Sequence, residues 1–207
     1  MVAELRADVP CLVIAENDCR LALLGEHWQG AARGLNEVVY VLAGSSTGAG
    51  ILSGGQLHRG IHGAAGELGA LPHLRWASAQ DHLLAFDHGY PVPEEQKGEL
   101  VIAAARQGNT EAIKAVDRYT ADLAVGIAAL LLTLDPAIVV IGGGLWRSPD
   151  QLLGPLLRNL EPLCLVKPNL AVSELGARAT LLGALRLGID TVNARLLDPT
   201  SELPSPR

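Results

Sequence analysis

The sequence predicts an α/β fold, in which strands and helices alternate along the chain and build one sheet. Two apolar runs, 37–42 and 137–141, are rich in valine and isoleucine and are typical of buried strands. A helical pattern over 110–134 lies between them and is apolar on nearly every side after Thr120, which indicates a central buried helix. Polar, glycine-rich segments follow the expected strands, where α/β proteins bind their ligands.

Composition limits the function classes. The chain has 207 residues, which suits one or two compact lobes, and its 49% hydrophobic content is ample for a core. The net charge of −6 argues against a broad basic face for nucleic acid. Three well-separated cysteines, Cys11, Cys19 and Cys164, form neither a disulfide framework nor a metal motif. We therefore expect a cytoplasmic, metabolite-binding protein.

The first polar segment is 16–18, between an apolar run at 11–15 that predicts a strand and a helix predicted over 21–33. The helical pattern places Glu26 on the solvent-exposed face of that helix. Asp18 lies at the turn between them, where an aspartate can cap a helix by accepting a backbone N–H. The same carboxylate could act as a general base on a substrate hydroxyl. For an isolated Asn-Asp pair, capping is the more common role, and both interpretations stay open.

The second polar segment is 44–50, which contains three glycines and the hydroxyl residues Ser45, Ser46 and Thr47. It predicts either a loop that lets phosphate approach the backbone or the turn of a β-hairpin between strands in 38–57. No Gly-Lys-Ser or Gly-Lys-Thr follows, so the segment is not a Walker A loop.

The third polar segment is 60–69, with a glycine at every third position and Glu67 as its sole acid. Such dense glycine indicates close backbone packing beside a ligand, although a solvated loop glutamate is the alternative. The following stretch, 71–95, contains three histidines and two aspartates, but their spacing matches no metal site and we expect no metal there.

The rest of the chain continues the alternation. Gly142, Gly143 and Gly144 follow the strand at 137–141 and form either a tight strand-to-helix turn or a loop beside a nucleotide. The remaining predicted elements are helices at 99–107, 149–160 and 177–187, a short strand at 170–174 and a disordered tail at 196–207.

Taken in order, these motifs resemble the ROK family of repressors and sugar kinases. The resemblance is carried by 16–18, 22–26, 44–55, 60–69, 134–145 and 181–184. It implies the actin-like ATPase (ribonuclease H-like) fold, mostly its second lobe with an incomplete first lobe. It divides the chain into a first-lobe remnant (1–36), the second lobe (37–176), a helix that packs toward the first lobe (177–195) and the tail (196–207).

The resemblance also implies roles for single residues. Asp18 corresponds to the catalytic base that activates a sugar hydroxyl for attack on ATP, and Asn17 and Glu67 correspond to sugar-contacting residues. The loop with Gly44, Ser45, Ser46, Thr47 and Gly48 corresponds to one near the nucleotide phosphates. Gly142, Gly143 and Gly144 correspond to the loop near the adenosine.

Three departures from the family weaken the kinase hypothesis. The family's first phosphate-binding turn, of Asp-x-Gly-Gly-Thr type, has no counterpart in this sequence. Ala70 stands where the family has a histidine that touches both sugar and zinc. The cysteines that supply the other zinc ligands are missing as well, so no zinc is expected.

The sequence therefore favours the sugar-binding effector domain of a ROK-type regulator, which would bind DNA only through segments absent from this chain. The alternative is the C-terminal lobe of an ATP-dependent hexose kinase with Asp18 as base, and ATP and Mg²⁺ are expected only in that case. A second alternative is a non-functional remnant. We expect little or no kinase turnover from this chain by itself, no membrane span, and a small-molecule sugar as ligand; a homodimer stays open.

Overall fold

The computed structural model describes residues 4, 8–9, 11–44, 46–147 and 149–197. Its centre is a five-stranded sheet with the spatial order β3-β2-β1-β4-β5. The strands are β1 (Val38–Ala43), β2 (Thr47–Ser53), β3 (Gln56–Leu57), β4 (Ile138–Gly142) and β5 (Leu170–Val172). β1 pairs antiparallel with β2 and parallel with β4, so the carboxyl ends of β1 and β4 lie at the same edge.

Six helices cover this sheet in the described part of the chain. They are α1 (Asp18–Gln29), α2 (Asp81–Leu84), α3 (Glu94–Arg106), α4 (Thr110–Leu134), α5 (Leu153–Leu160) and α6 (Ala179–Leu197). The side chains of β1 and β4 alternate between two cores, as the pleat of a strand requires. Val39 and Val139 face the core with α3, α4 and α5, and Val38 and Val140 face the core with α1. The α/β prediction is confirmed.

Several predicted boundaries were wrong for identifiable reasons. Residues 11–15 form no strand, because no strand among the described residues lies beside them to supply hydrogen-bond partners. The predicted loop at 44–50 is shorter than expected, since β2 already begins at Thr47. Helix α6 continues to Leu197, past the predicted end at 187 and into the predicted tail. The rest of that tail, 198–207, lies outside the described residues.

Helices α1 and α6 cross with backbone against backbone. A side chain at Gly183 would collide with the carbonyl oxygen of Leu21, and one at Gly25 would collide with the carbonyl of Ala179. Glycine is therefore required at both positions, because only it lets two helices approach this closely. The division of the chain into lobes stays a prediction. None of the helices in the described ranges combines the length and apolar character that crossing a membrane requires.

Glu26 lies on the buried side of α1, which contradicts the helical pattern that places it in solvent. Its side chain is 0% exposed. One carboxylate oxygen accepts hydrogen bonds from the Ser173 hydroxyl at 2.5 Å and the Leu175 N–H at 3.1 Å, and the other accepts from the Ala31 N–H at 2.8 Å. The carboxylate thus ties α1 to the segment that follows β5.

Candidate functional site

Asn17 and Asp18 lie at the N-terminus of α1. The sequence left open whether Asp18 caps this helix or acts as a general base. The Asn17 side-chain oxygen accepts the backbone N–H groups of Cys19 at 3.0 Å and Arg20 at 3.2 Å, so Asn17 is the helix cap. Asp18 also accepts the Cys19 N–H, at 2.8 Å, but its side chain is exposed to solvent. Its second carboxylate oxygen has no hydrogen-bond partner among the described residues. This oxygen faces solvent, where it can accept a hydrogen bond from a substrate hydroxyl.

Glu67 approaches the same end of α1 from the third polar segment. Burial, then the negative charge of Asp18 and its hydrogen bond with the thiol, and then the charge of Glu67 together raise the pKa of the Cys19 thiol to about 12. Both carboxylates therefore act on one buried sulfur, which places them on the same side of the molecule. The Cys19 thiol stays protonated at neutral pH and donates a weak hydrogen bond to Asp18 at 3.4 Å.

Strand β2 is packed tightly between α1 and the third polar segment. A Cβ atom at Gly50 would lie 2.8 Å from the Cys19 carbonyl oxygen. One at Gly66 would lie 2.6 Å from the Ala49 carbonyl oxygen. Side chains at these positions would push the three segments apart. The dense glycines thus bring the carboxylates of α1 and of the third segment together across β2.

We expect Gly66→Ala to destabilise the fold more than Gly63→Ala does. Both glycines have positive φ, +89° and +73°, so both substitutions carry a similar backbone cost. Only Gly66 has a backbone oxygen in the path of the new methyl group, whereas nothing lies within 4 Å of that position at Gly63. Urea denaturation should show an additional loss of about 1–3 kcal/mol for Gly66→Ala. Equal losses would mean that β2 and the loop are not in close contact.

A buried arginine, which was not predicted from the sequence, anchors the third segment. Arg20 is 7% exposed and donates to the carbonyl oxygens of Gly63 at 2.5 Å and Ala65 at 3.3 Å. Glu16 accepts from Arg20 at 3.3 Å and from Arg59 at 2.6 Å. Partial burial alone would raise the pKa of Glu16, but the Asn17 N–H and Arg59 outweigh it and lower that pKa. The i, i+4 spacing of Glu16 and Arg20 was the available signal.

The residues that the sequence predicts near a nucleotide include a second group, at the carboxyl edge of β1 and β4. A Cβ atom at Gly44 would lie 3.7 Å from the Gly144 nitrogen and 4.0 Å from the Gly143 Cα, so the two glycine turns are neighbours. Gly142 ends β4 and is fully within the sheet. A cavity of about 280 Å³ opens beside these turns. Its lining includes Gly44, Leu83, Glu94, Gly98 and Leu145.

The hydroxyl residues of the hairpin turn differ in what they can bind. Ser46 is exposed, and Ser45 lies outside the described residues. The Thr47 hydroxyl donates to the Trp76 carbonyl oxygen at 2.6 Å. The proton of the Thr47 hydroxyl is therefore used in a hydrogen bond that holds the hairpin in this conformation. Gly48 faces Cys19, closer to the Asp18 side than to the glycine turn of β4.

The stretch 71–95 shows no arrangement that fits zinc. In the described ranges, no three side chains of histidine, cysteine, aspartate or glutamate converge on a common point that could hold a metal ion. His82 instead pairs with Asp122 of α4. The residues present thus do not match the zinc site that the family resemblance implies for this stretch.

Comparison with known proteins gives consistent results. A model of the ROK family matches residues 1–82 and 77–190. A glucokinase from Thermotoga maritima is 31% identical over 205 residues, which make up 83% of this chain and 64% of that enzyme. This chain thus spans less than two thirds of the length of that relative.

Two solved structures show the same fold. A ROK family glucokinase from Streptomyces griseus, in complex with glucose and AMPPNP, superposes with a TM-score of 0.70 at 24% identity, over 89% of this chain and 70% of that one. A ROK family transcriptional regulator, a homologue of the E. coli MLC protein, superposes with a TM-score of 0.69 at 19% identity, over 88% and 53%. The actin-like ATPase fold of ROK sugar kinases is therefore confirmed.

Proposed function

Given that the chain belongs to the ROK family, we propose that it is the sugar- and nucleotide-binding part of an ATP-dependent hexose kinase with Asp18 as general base. The observation that carries this proposal is the position of Asp18. Its carboxylate is exposed at the start of α1, while the adjacent Asn17 does the capping. The hydrogen bonds of Asp18 with Cys19 use one carboxylate oxygen, so the other oxygen can accept a proton from a substrate hydroxyl.

The chemistry follows from that placement. A hexose hydroxyl hydrogen-bonds to the Asp18 carboxylate, which takes the proton as the hydroxyl oxygen attacks the γ-phosphorus of ATP. The bond from that phosphorus to the β-γ bridging oxygen breaks, and ADP leaves. Glu67 and Asn17 hold other hydroxyls of the sugar, since carboxylates accept and amides both accept and donate hydrogen bonds.

The nucleotide side of the proposal rests on the two adjacent glycine turns. Gly44 and Gly144 lie at the carboxyl ends of parallel strands, where the absence of side chains lets phosphate oxygens approach the backbone. The neighbouring cavity of about 280 Å³ has apolar walls from Leu83 and Leu145 that suit a purine ring. The AMPPNP in the Streptomyces griseus relative supports ATP as the cofactor. Mg²⁺ would accompany the ATP, because phosphoryl transfer needs the charge of the phosphates neutralised.

A regulator that only senses sugar is the second candidate, and the sequence alone favoured it. One specific observation supports it, the likeness to a ROK family transcriptional regulator, which extends over 88% of this chain. The curated relatives favour the kinase, because glucokinases from four sources match it at 27–31% identity. Both proposals use the same sugar-side residues, Asn17, Asp18 and Glu67. They differ in whether the chain also binds nucleotide.

Thermal denaturation with paired ligands tests the proposal. The panel contains glucose, mannose and N-acetylhexosamines, each with and without Mg-AMPPNP. A ligand at ~100 times its dissociation constant stabilises the folded state by about 2.7 kcal/mol. The kinase proposal expects stabilisation by one sugar and by Mg-AMPPNP, followed by ADP release with that sugar and Mg-ATP. Stabilisation by sugar alone supports the sensor, and no response to any ligand contradicts both.

A further inference from the structure

A charged cluster ties the irregular segment 75–82 to the long helix α4. One Asp122 carboxylate oxygen lies 3.0 Å from Arg75 Nε and 2.8 Å from His82 Nε2. Arg75 Nη2 lies 3.1 Å from the same histidine nitrogen, so the three side chains form a closed group. Asp122 is 9% exposed. A carboxylate this buried is stable only with such partners.

The same segment is also held by a large side chain next to that cluster. Trp76 follows Arg75 and is 1% exposed. Its ring occupies the space beside Gly126, one turn after Asp122 on α4, where any side chain would collide with it. The ion cluster and the tryptophan thus fasten the segment to two successive turns of one helix.

This anchoring reaches the hairpin that lies on the nucleotide side. The Trp76 carbonyl oxygen accepts the Thr47 hydroxyl at 2.6 Å. Thr47 begins β2, directly after the turn of the β1–β2 hairpin. A displacement of Trp76 would therefore pull on the hairpin turn that contains Gly44. The path from Asp122 to the turn consists of direct contacts at every step.

We propose that the Asp122–Arg75–His82 cluster is a metal-free replacement for the zinc site that the family resemblance implies, and that it positions the β1–β2 hairpin for nucleotide. A structural zinc ion holds a loop by several ligands at once. Here one carboxylate on a rigid helix does so through two cationic or hydrogen-bonding side chains of the loop. The part that concerns nucleotide rests on the proposed kinase function, whereas the anchoring of 75–82 does not.

Hydrogen exchange in the full chain tests the anchoring. Asp122→Asn and Arg75→Gln are expected to speed amide exchange in 76–84 and in 44–48 by about tenfold or more, because local opening becomes easier when the ionic bonds are lost. Glu111→Gln is the matched control. It removes an exposed ion pair with Lys114 on the same helix and should leave both regions unchanged.

The Arg75 variant keeps the test valid if Asp122→Asn fails to fold, because the Arg75 side chain is 58% exposed and its loss leaves no large cavity. The double variant should exchange no faster than Asp122→Asn alone, since both substitutions remove one interaction. Exchange rates equal to those of the Glu111→Gln control would overturn the proposal.

Two further measurements separate the parts of the proposal. Added zinc and EDTA should each leave exchange in 76–84 unchanged, and retention of stoichiometric zinc after dialysis would refute the metal-free anchoring.

Arg75→Gln should weaken Mg-AMPPNP binding about threefold or more while sugar affinity is kept. Faster exchange with unchanged nucleotide affinity would refute the link to nucleotide alone. Absence of any nucleotide binding in the unmodified chain would instead count against the kinase function.

Discussion

Asp18→Asn is expected to lower the rate of sugar phosphorylation by about 10²–10⁴-fold, the usual contribution of a general base. The asparagine keeps an oxygen that can accept the Cys19 N–H, now 2.8 Å from Asp18, so the start of α1 stays intact. It cannot take a proton from the sugar hydroxyl. A coupled assay of ADP release measures the loss, and thermal denaturation should show a change in stability of less than about 0.5 kcal/mol.

Asp190→Asn is the control for this experiment. Asp190 pairs with Arg186 on the exposed side of α6, far along the chain from any residue assigned to the site. Its amide variant makes the same change in charge and should keep full activity, because exposed ion pairs contribute little to stability. If Asp18→Asn turned over sugar as fast as this control, Asp18 would not be the base.

Glu26→Ala is expected to cost about 3–5 kcal/mol in the free energy of unfolding, the largest effect on stability that we expect from a single substitution outside the core. Three partly buried donors, from Ala31, Ser173 and Leu175, would lose their acceptor, and the fully buried Glu26 side chain would leave a cavity. For a chain of this size each kcal/mol lowers Tm by about 2–4 °C. Urea denaturation and calorimetry together give the loss.

Two variants show whether the carboxylate is responsible. Glu26→Gln keeps one acceptor oxygen, so we expect an intermediate loss. Glu99→Ala removes an exposed glutamate from α3 and should change stability by less than about 0.5 kcal/mol. Losses that were alike for Glu26→Ala and Glu99→Ala would contradict the buried network.

The elements with strong local signals were predicted well. The bounds of α4, 110–134, were correct, because Asn109 caps its start and Asp135-Pro136 ends it. Strand β4 was found from its run of β-branched residues. Glu26 was misplaced because helical periodicity predicts one buried face, whereas α1 is covered by the sheet on one side and by α6 and the segment after β5 on another. That second covering comes from a distant part of the sequence.

The candidate site divides in the same way. The order of the glycine segments indicated Asp18, Glu67 and the two turns. In the structure Asp18 and Glu67 both act on Cys19, and the turns at Gly44 and Gly144 lie beside each other. The anchors of these residues were not predicted. Arg20 binds a carbonyl 43 residues away, and His82 binds a carboxylate 40 residues away. A buried ion pair between distant segments leaves no periodic pattern in a single sequence, so only the folded chain shows it.

The buried Glu26 network also has a consequence for the order in which the chain folds. Glu26 and Ser173 are 147 residues apart in sequence. During synthesis, α1 therefore emerges on the order of ten seconds before the residues that complete the hydrogen bonds of its Glu26 carboxylate. Until then the Glu26 carboxylate lacks its partners Ser173 and Leu175, and the face of α1 at Gly25 that packs against α6 is uncovered. The helix that carries Asp18 is therefore synthesised early, but this network can hold it in place only after Ser173 and Leu175 have been made.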